Sequence, residues 1–77
     1  MLRLKNIKIT EDLAEADYYP EDSTKPLHII VDLHSREIRD VERDAEYRFW
    51  YPAHARQALL RMADEHDERK ETLVMWY

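Results

Sequence analysis

The sequence predicts one small α+β domain, residues 1–77, built in the order β-β-β-β-α-β: a four-stranded antiparallel meander, one helix packed across the sheet, and a C-terminal strand. Three observations lead to this class. Apolar and polar residues alternate through most of the first half of the chain, as in half-buried strands. Apolar residues then recur every three or four positions over residues 52–66, which is helical spacing. Residues 72–77 form a short, strongly apolar final segment.

Four segments carry the strand alternation: residues 5–10, 13–19, 27–34 and 37–43. In the first three, the residues that we expect to face the core are Ile7 and Ile9, then Ala14, Ala16 and Tyr18, and then Leu27, Ile29, Val31 and Leu33. The fourth has only Ile38 and Val41 as apolar anchors, three positions apart. That spacing breaks strict alternation and predicts a bulge or an edge strand.

Register and turn geometry can also be predicted. The second and third strands keep their apolar faces together in two registers, which set either Asp17 or Tyr19 opposite His28. The tight turn after the third strand usually needs glycine at a left-handed position. The chain contains no glycine, so we expect a positive φ at Arg36 or a different loop.

Pro52 suits the first turn of the helix, since its missing N–H costs nothing there. The helix should run to about His66, a half-buried boundary residue, or as far as Lys70 if the basic residues follow the acidic ones at its end. Residues 44–51 could form a short strand or an aromatic-anchored connection. Because the helix reverses the chain direction, the last strand should return beside the first, giving the strand order 5-1-2-3-4.

Composition limits the functional classes. The chain has 77 residues, 44% of them hydrophobic and 38% charged, with a net charge of −5. Such a chain should fold around one small core. Without cysteine or glycine, disulfide frameworks, thiolate metal sites and glycine-rich phosphate loops are excluded. There is no signal-peptide or membrane-span pattern, so we expect a cytoplasmic protein with no membrane partner. Its acidic balance makes nucleic acid an unfavourable partner.

Two groups of histidines could carry chemistry. His28, Asp32 and His34 share one face of the third strand, with Glu15 or Asp17 near them on the second, and imidazole and carboxylate groups are zinc or manganese ligands. A solvated polar sheet face explains the same pattern, so these residues are weak metal candidates and we assign no metal or cofactor. The remaining enzyme candidate is a metal-dependent or histidine-based enzyme using this face or His54, a residue better explained by capping or packing.

The aromatic residues favour association. The last residues of the sequence are apolar on both strand faces, whereas terminal residues are usually polar. A small domain with such a strand predicts a homodimer or an accessory subunit, without enzymatic activity, acting through protein–protein contacts. The expected interface residues are Tyr47, Phe49, Trp50, Tyr51, Met75, Trp76 and Tyr77. A single-stranded nucleic-acid-binding regulator using Arg48, Trp50 and Arg56 is the other alternative.

Overall fold

The computed structural model describes residues 1–21, 23–43 and 50–74. These residues form the predicted β-β-β-β-α-β series. Among them, no helix is long and apolar enough to cross a membrane. The elements are β1 (Leu2–Ile9), β2 (Leu13–Pro20), β3 (Leu27–Asp32), β4 (Ile38–Val41), α1 (Trp50–Asp64) and β5 (Thr72–Val74).

The strands form one antiparallel sheet in the order β4-β3-β2-β1-β5, which confirms the predicted topology. Helix α1 lies across one face of this sheet and contacts β1, β2, β3 and β5. The short strands β4 and β5 form the two edges, and β1 lies inside the sheet although it comes first in the chain.

Alternation in the strands builds the core on the helix side of the sheet. Small residues of both layers belong to this core, since Ala14 and Ala16 of β2 and Ala55 and Ala58 of α1 are all buried. The larger buried side chains around them are Leu2, Leu4, Ile7, Tyr18, Leu27, Ile29, Val31, Leu59, Leu60 and Met62. The expected core residues Ile9 and Leu33 are partly buried at its margin.

The pairing of β2 with β3 sets Asp17 opposite His28, the first of the two predicted registers. This register places Ala16 opposite Ile29 and so keeps both core faces on the helix side.

Strand β1 begins three residues earlier than the predicted segment 5–10 and contains a bulge. Its pairing with β2 shifts between Lys5 and Lys8, and Asn6 has a left-handed backbone with φ 54°. Asparagine tolerates this conformation better than most residues. The extra residue allows Leu4 and Ile7 to face the same core although they are three positions apart.

The β3–β4 hairpin confirms two predictions and shortens both strands. Arg36 has φ 64°, the left-handed conformation expected there in the absence of glycine. The pairing of β3 with β4 shifts between Ile30 and Val31, which leaves an irregularity in an edge strand. Strand β3 ends at Asp32 instead of residue 34, and β4 covers Ile38–Val41 instead of residues 37–43.

Both helix ends differ from the predicted bounds. The helix begins at Trp50, two residues before Pro52, while residues 44–49 lie outside the described residues. It ends at Asp64 instead of about His66 or Lys70, because the N–H of Asp67 donates to the carbonyl of Met62 (2.9 Å) while His66 has φ 54°. His66 therefore occupies the position that usually takes glycine after a helix. It is exposed, so its predicted half-burial is wrong.

Candidate functional site

The outer face of the sheet, opposite α1, carries the histidine at which the sequence suggested chemistry. His28 lies between two carboxylates of β2: its Nδ1 is 2.8 Å from Oδ1 of Asp17, and its Nε2 is 3.3 Å from Oε2 of Glu15. Asn6, at the bulge of β1, donates its Nδ2 hydrogen to the other oxygen of Asp17 (2.8 Å). The β2–β3 register and the β1 bulge together build this arrangement, the His28 cluster.

The electrostatics of the His28 cluster favour an imidazolium between two carboxylates. The hydrogen bond to Asp17 raises the pKa of His28 above its usual value, and Glu15 acts in the same direction. The hydrogen bonds from Asn6 and His28 lower the pKa of Asp17. The two ring nitrogens of His28 contact different carboxylates on opposite sides of the ring, so these three groups do not point at one common ion.

The other two metal candidates, Asp32 and His34, have separate partners. One Asp32 oxygen accepts hydrogen bonds from the backbone N–H groups of His34 (2.8 Å) and Ser35 (3.1 Å), and these bonds lower the pKa of the carboxyl. His34 instead directs its Nε2 at Asp12 (2.7 Å), which raises the pKa of the imidazole. Within the described residues, no group of three or more histidine, cysteine or acidic side chains is arranged to hold a metal ion.

Tyr19 lies on the same outer face and is held by two cations. The Arg3 guanidinium and the Lys5 ammonium each lie 5.7 Å from the centre of its ring. Arg3 also donates to the carbonyl of Ser23 (3.4 Å), so its charge is directed along the sheet toward β2. The alternation of β1 gave no indication of this contact, because it depends on the pairing of Arg3 with Tyr19 across the strands.

A groove of about 940 Å³ lies between the end of β1, the end of α1 and residues 65–70. Its apolar floor includes Ile7, Ile9, Leu33 and Met62, and its rim is charged. Two ion pairs lie on this rim: Arg36 with Asp64 (2.9 Å) and Arg69 with Asp67 (2.6 Å). Ile7 donates its N–H to the carbonyl of Lys70 (2.9 Å), which joins the segment after α1 to β1 beside the groove.

The predicted interface residues are only partly described. Tyr47, Phe49, Met75, Trp76 and Tyr77 lie outside the described residues, and Trp50 is the first residue of α1. The side chain of Tyr51 is half-buried, and its hydroxyl donates to Glu21, which also accepts from the amino group of Met1 (3.1 Å). This contact ties the start of the helix to the end of β2.

Edge strand β5 exposes an apolar residue that the sequence had placed on its second face. Leu73 is 50% exposed, whereas Thr72 and Val74 are half-buried and Val74 packs against the core. Leu73 is paired with Arg3 of β1, so it lies on the outer, polar side of the sheet.

The remaining candidates lie on the helix. His54 is half-buried in the first turns of α1. Arg56, named for the nucleic-acid alternative, donates its Nε hydrogen to the carbonyl of Arg36 (2.7 Å) and thereby fastens the β3–β4 turn to α1. The geometry gives Arg56 a structural contact within the chain.

Comparison of the chain with protein-family models, curated proteins and solved structures gave no match.

Proposed function

We propose that the protein is a non-enzymatic association module that forms a homodimer, or serves as an accessory subunit, through the end of the sheet where β5 stops. The exposure of Leu73 is the observation that carries this proposal. Removing a leucine that is 50% exposed on a largely polar sheet face from water lowers the free energy, so burial by a partner is favourable.

Strands β4 and β5 end, and α1 begins, at one end of the sheet, and in the sequence these points border the two aromatic segments assigned to an interface. Val74, the last residue of β5, pairs with Leu2. At the same end, Leu2 pairs with Pro20, Tyr18 pairs with Leu27, and Glu42 donates its N–H to His28. Strand β4 ends there at Val41, and α1 starts there at Trp50.

This convergence supports association because tryptophan, tyrosine and methionine are enriched at the centres of protein interfaces. Tyr51 adds to it, since its ring lies half-buried beside the same end while its hydroxyl is already bonded to Glu21. The partners already held by His28, Asp32 and His34 give the enzyme alternative no comparable support. The cytoplasmic location expected from the sequence remains a prediction.

The test is the absolute mass in solution, measured by size-exclusion chromatography with light scattering over a hundredfold range of concentration. We expect wild-type protein to be a dimer at the upper end of this range. Trp76→Ser should weaken the dimer by roughly 30-fold, because an interface tryptophan commonly contributes about 2 kcal/mol or more.

Ile9→Ser is the matched control, since it removes a partly buried apolar side chain at the opposite end of the sheet. It should lower stability without changing the dissociation constant. The proposal would be refuted if the wild-type chain were monomeric throughout the concentration range and bound no other protein through this end of the sheet. A Trp76→Ser dimer as tight as the wild type would also refute it.

A further inference from the structure

The two edges of the sheet differ in their ability to accept another strand. Strand β4 exposes Arg39 and Asp40 in its centre, and charged flanking residues continue on both sides of it. Strand β5 contains no charged residue, and its central side chain is the half-exposed Leu73. Charged edges are a common protection against unwanted strand pairing, and β5 lacks that protection.

Two-fold symmetry determines which of the two edge strands can pair with its own copy in a second chain. Two identical edge strands related by a two-fold axis perpendicular to the sheet pair antiparallel, and the residue at the axis meets its own copy. At the β4 edge, the central registers bring Arg39 against Arg39 or Asp40 against Asp40. Like charges directly opposite each other destabilise a strand pair.

At the β5 edge, the same operation brings Leu73 against Leu73 and Thr72 against Val74. No like charges oppose each other within Thr72–Val74, and the two leucines bury each other's exposed surface. The cation of Arg3, which pairs with Leu73, is directed away from this edge, since it lies over the Tyr19 ring and reaches the carbonyl of Ser23. The β5 edge is therefore self-complementary, whereas the β4 edge repels its own copy in these central registers.

We propose that the partner is a second copy of this chain, whose β5 pairs antiparallel with the first around a two-fold axis at Leu73. The two sheets then join into a single sheet of ten strands. This inference rests on the proposed function and specifies its partner, its strand and its register.

Disulfide crosslinking can test this pairing without background from other thiols, because the wild-type chain contains no cysteine. A Leu73→Cys variant carries a single thiol at the proposed axis. Residues directly opposite in an antiparallel pair have Cβ atoms about 4.5–5.5 Å apart, close enough for a disulfide after a small adjustment. We expect mild oxidation to convert most of this variant into a covalent dimer on non-reducing mass analysis.

Asp40→Cys is the matched control, because it places an exposed thiol on the other edge strand. It should remain mostly uncrosslinked under the same oxidation. Leu73→Lys provides an independent reading, since two ammonium groups would meet at the axis and weaken association by about tenfold or more. Because Leu73 is half-exposed, far-UV circular dichroism should show that Leu73→Cys and Leu73→Lys are both folded.

The outcomes separate the two proposals. Crosslinking at position 73 but not at position 40, with weaker association in Leu73→Lys, supports the β5 pairing. A wild-type dimer whose Leu73 variants neither crosslink nor dissociate overturns the pairing and leaves the association function standing. Equal crosslinking at both positions also overturns it, since that result indicates random collision. If the wild type is monomeric, both the β5 pairing and the homodimer of the proposed function are overturned.

Discussion

The two faces of the sheet are made by neighbouring residues of the same strands, yet different forces hold them. On the helix side, Ile29 and Tyr18 are fully buried. One position away on the outer side, Ile30 and Tyr19 are half-buried among charged groups, and His28 is held by carboxylates. Stability therefore comes mainly from the helix-side face, where the apolar side chains are removed from water.

The largest expected effect comes from shortening adjacent isoleucines of β3. Ile29→Ala should cost about 2–5 kcal/mol, because it leaves a cavity in the core. That cost is comparable with the whole stability of roughly 3–5 kcal/mol that a core of this size supplies. Ile30→Ala should cost about 1 kcal/mol or less, since its side chain is only half-buried.

Urea unfolding followed by circular dichroism measures both variants. If Ile29→Ala is unfolded without denaturant, Ile29→Val still reports the same site, with an expected loss of about 1 kcal/mol. Equal losses at positions 29 and 30 would contradict the division between the faces.

The tyrosine pair of β2 gives an intermediate effect. The Tyr18 hydroxyl donates to the carbonyl of Glu42, so Tyr18→Phe should cost about 1 kcal/mol. Tyr19→Phe should change stability by less than about 0.5 kcal/mol, because the ring that faces Arg3 and Lys5 is retained. Thermal unfolding of the two variants in the same buffer measures both losses of stability. A larger loss of stability in Tyr19→Phe than in Tyr18→Phe would contradict the prediction.

The smallest effect should depend on pH and come from the His28 cluster. Since the pKa of His28 is raised by Asp17, its contribution to stability is fully present below about pH 6.5 and is lost as the pH rises through the folded-state pKa. The pKa of Asp17 is lowered, so the contribution of Asp17 to stability is lost as the pH falls from about 3.8 through the folded-state pKa of Asp17. The pair therefore contributes most between about pH 4 and pH 6.5.

His28→Gln tests this expectation. Near pH 5–6, the free energy of unfolding of the wild type should exceed that of the variant by under about 1 kcal/mol, because the imidazole is 38% exposed and solvent screens its charge. By about pH 8 this difference in free energy should have become smaller. His34→Gln is the exposed counterpart, with a side chain that is 73% exposed, and should show a smaller change. A difference that grows from about pH 6 to pH 8 would show the opposite linkage.

Sequence patterns predicted the strand order, the Asp17–His28 register as one of two, and the left-handed Arg36, because alternation and turn geometry are local properties. They placed the start of β1 too late. The bulge at Asn6 moves Leu2 and Leu4 out of phase with Ile7, which hides their common face from a two-residue period. The end of the helix was also misplaced, since no local rule indicated that His66 would take a position typical of glycine.

The candidate sites were harder to predict than the fold. The sequence placed His28 near Glu15 or Asp17, but only the register decides that one carboxylate meets each ring nitrogen. The groove at the end of α1 could not be predicted, because its walls come from residues about 30 to 60 positions apart in the chain. The sequence indicated that β5 is apolar on both faces and should be covered on both, but only the structure shows that Leu73 is half-exposed.

The position of β1 has a consequence for folding during synthesis. Strand β1 lies between β2 and β5, so one of its edges stays open until residues 72–74 leave the ribosome. Until then the nascent chain holds at most a four-stranded sheet with Leu2–Ile9 at its margin, where unpaired N–H and C=O groups attract other strands. The strand that comes first in this sheet's chain order is thus among the last to be completed, and mispairing at its open edge ends only when residues 72–74 pair with it.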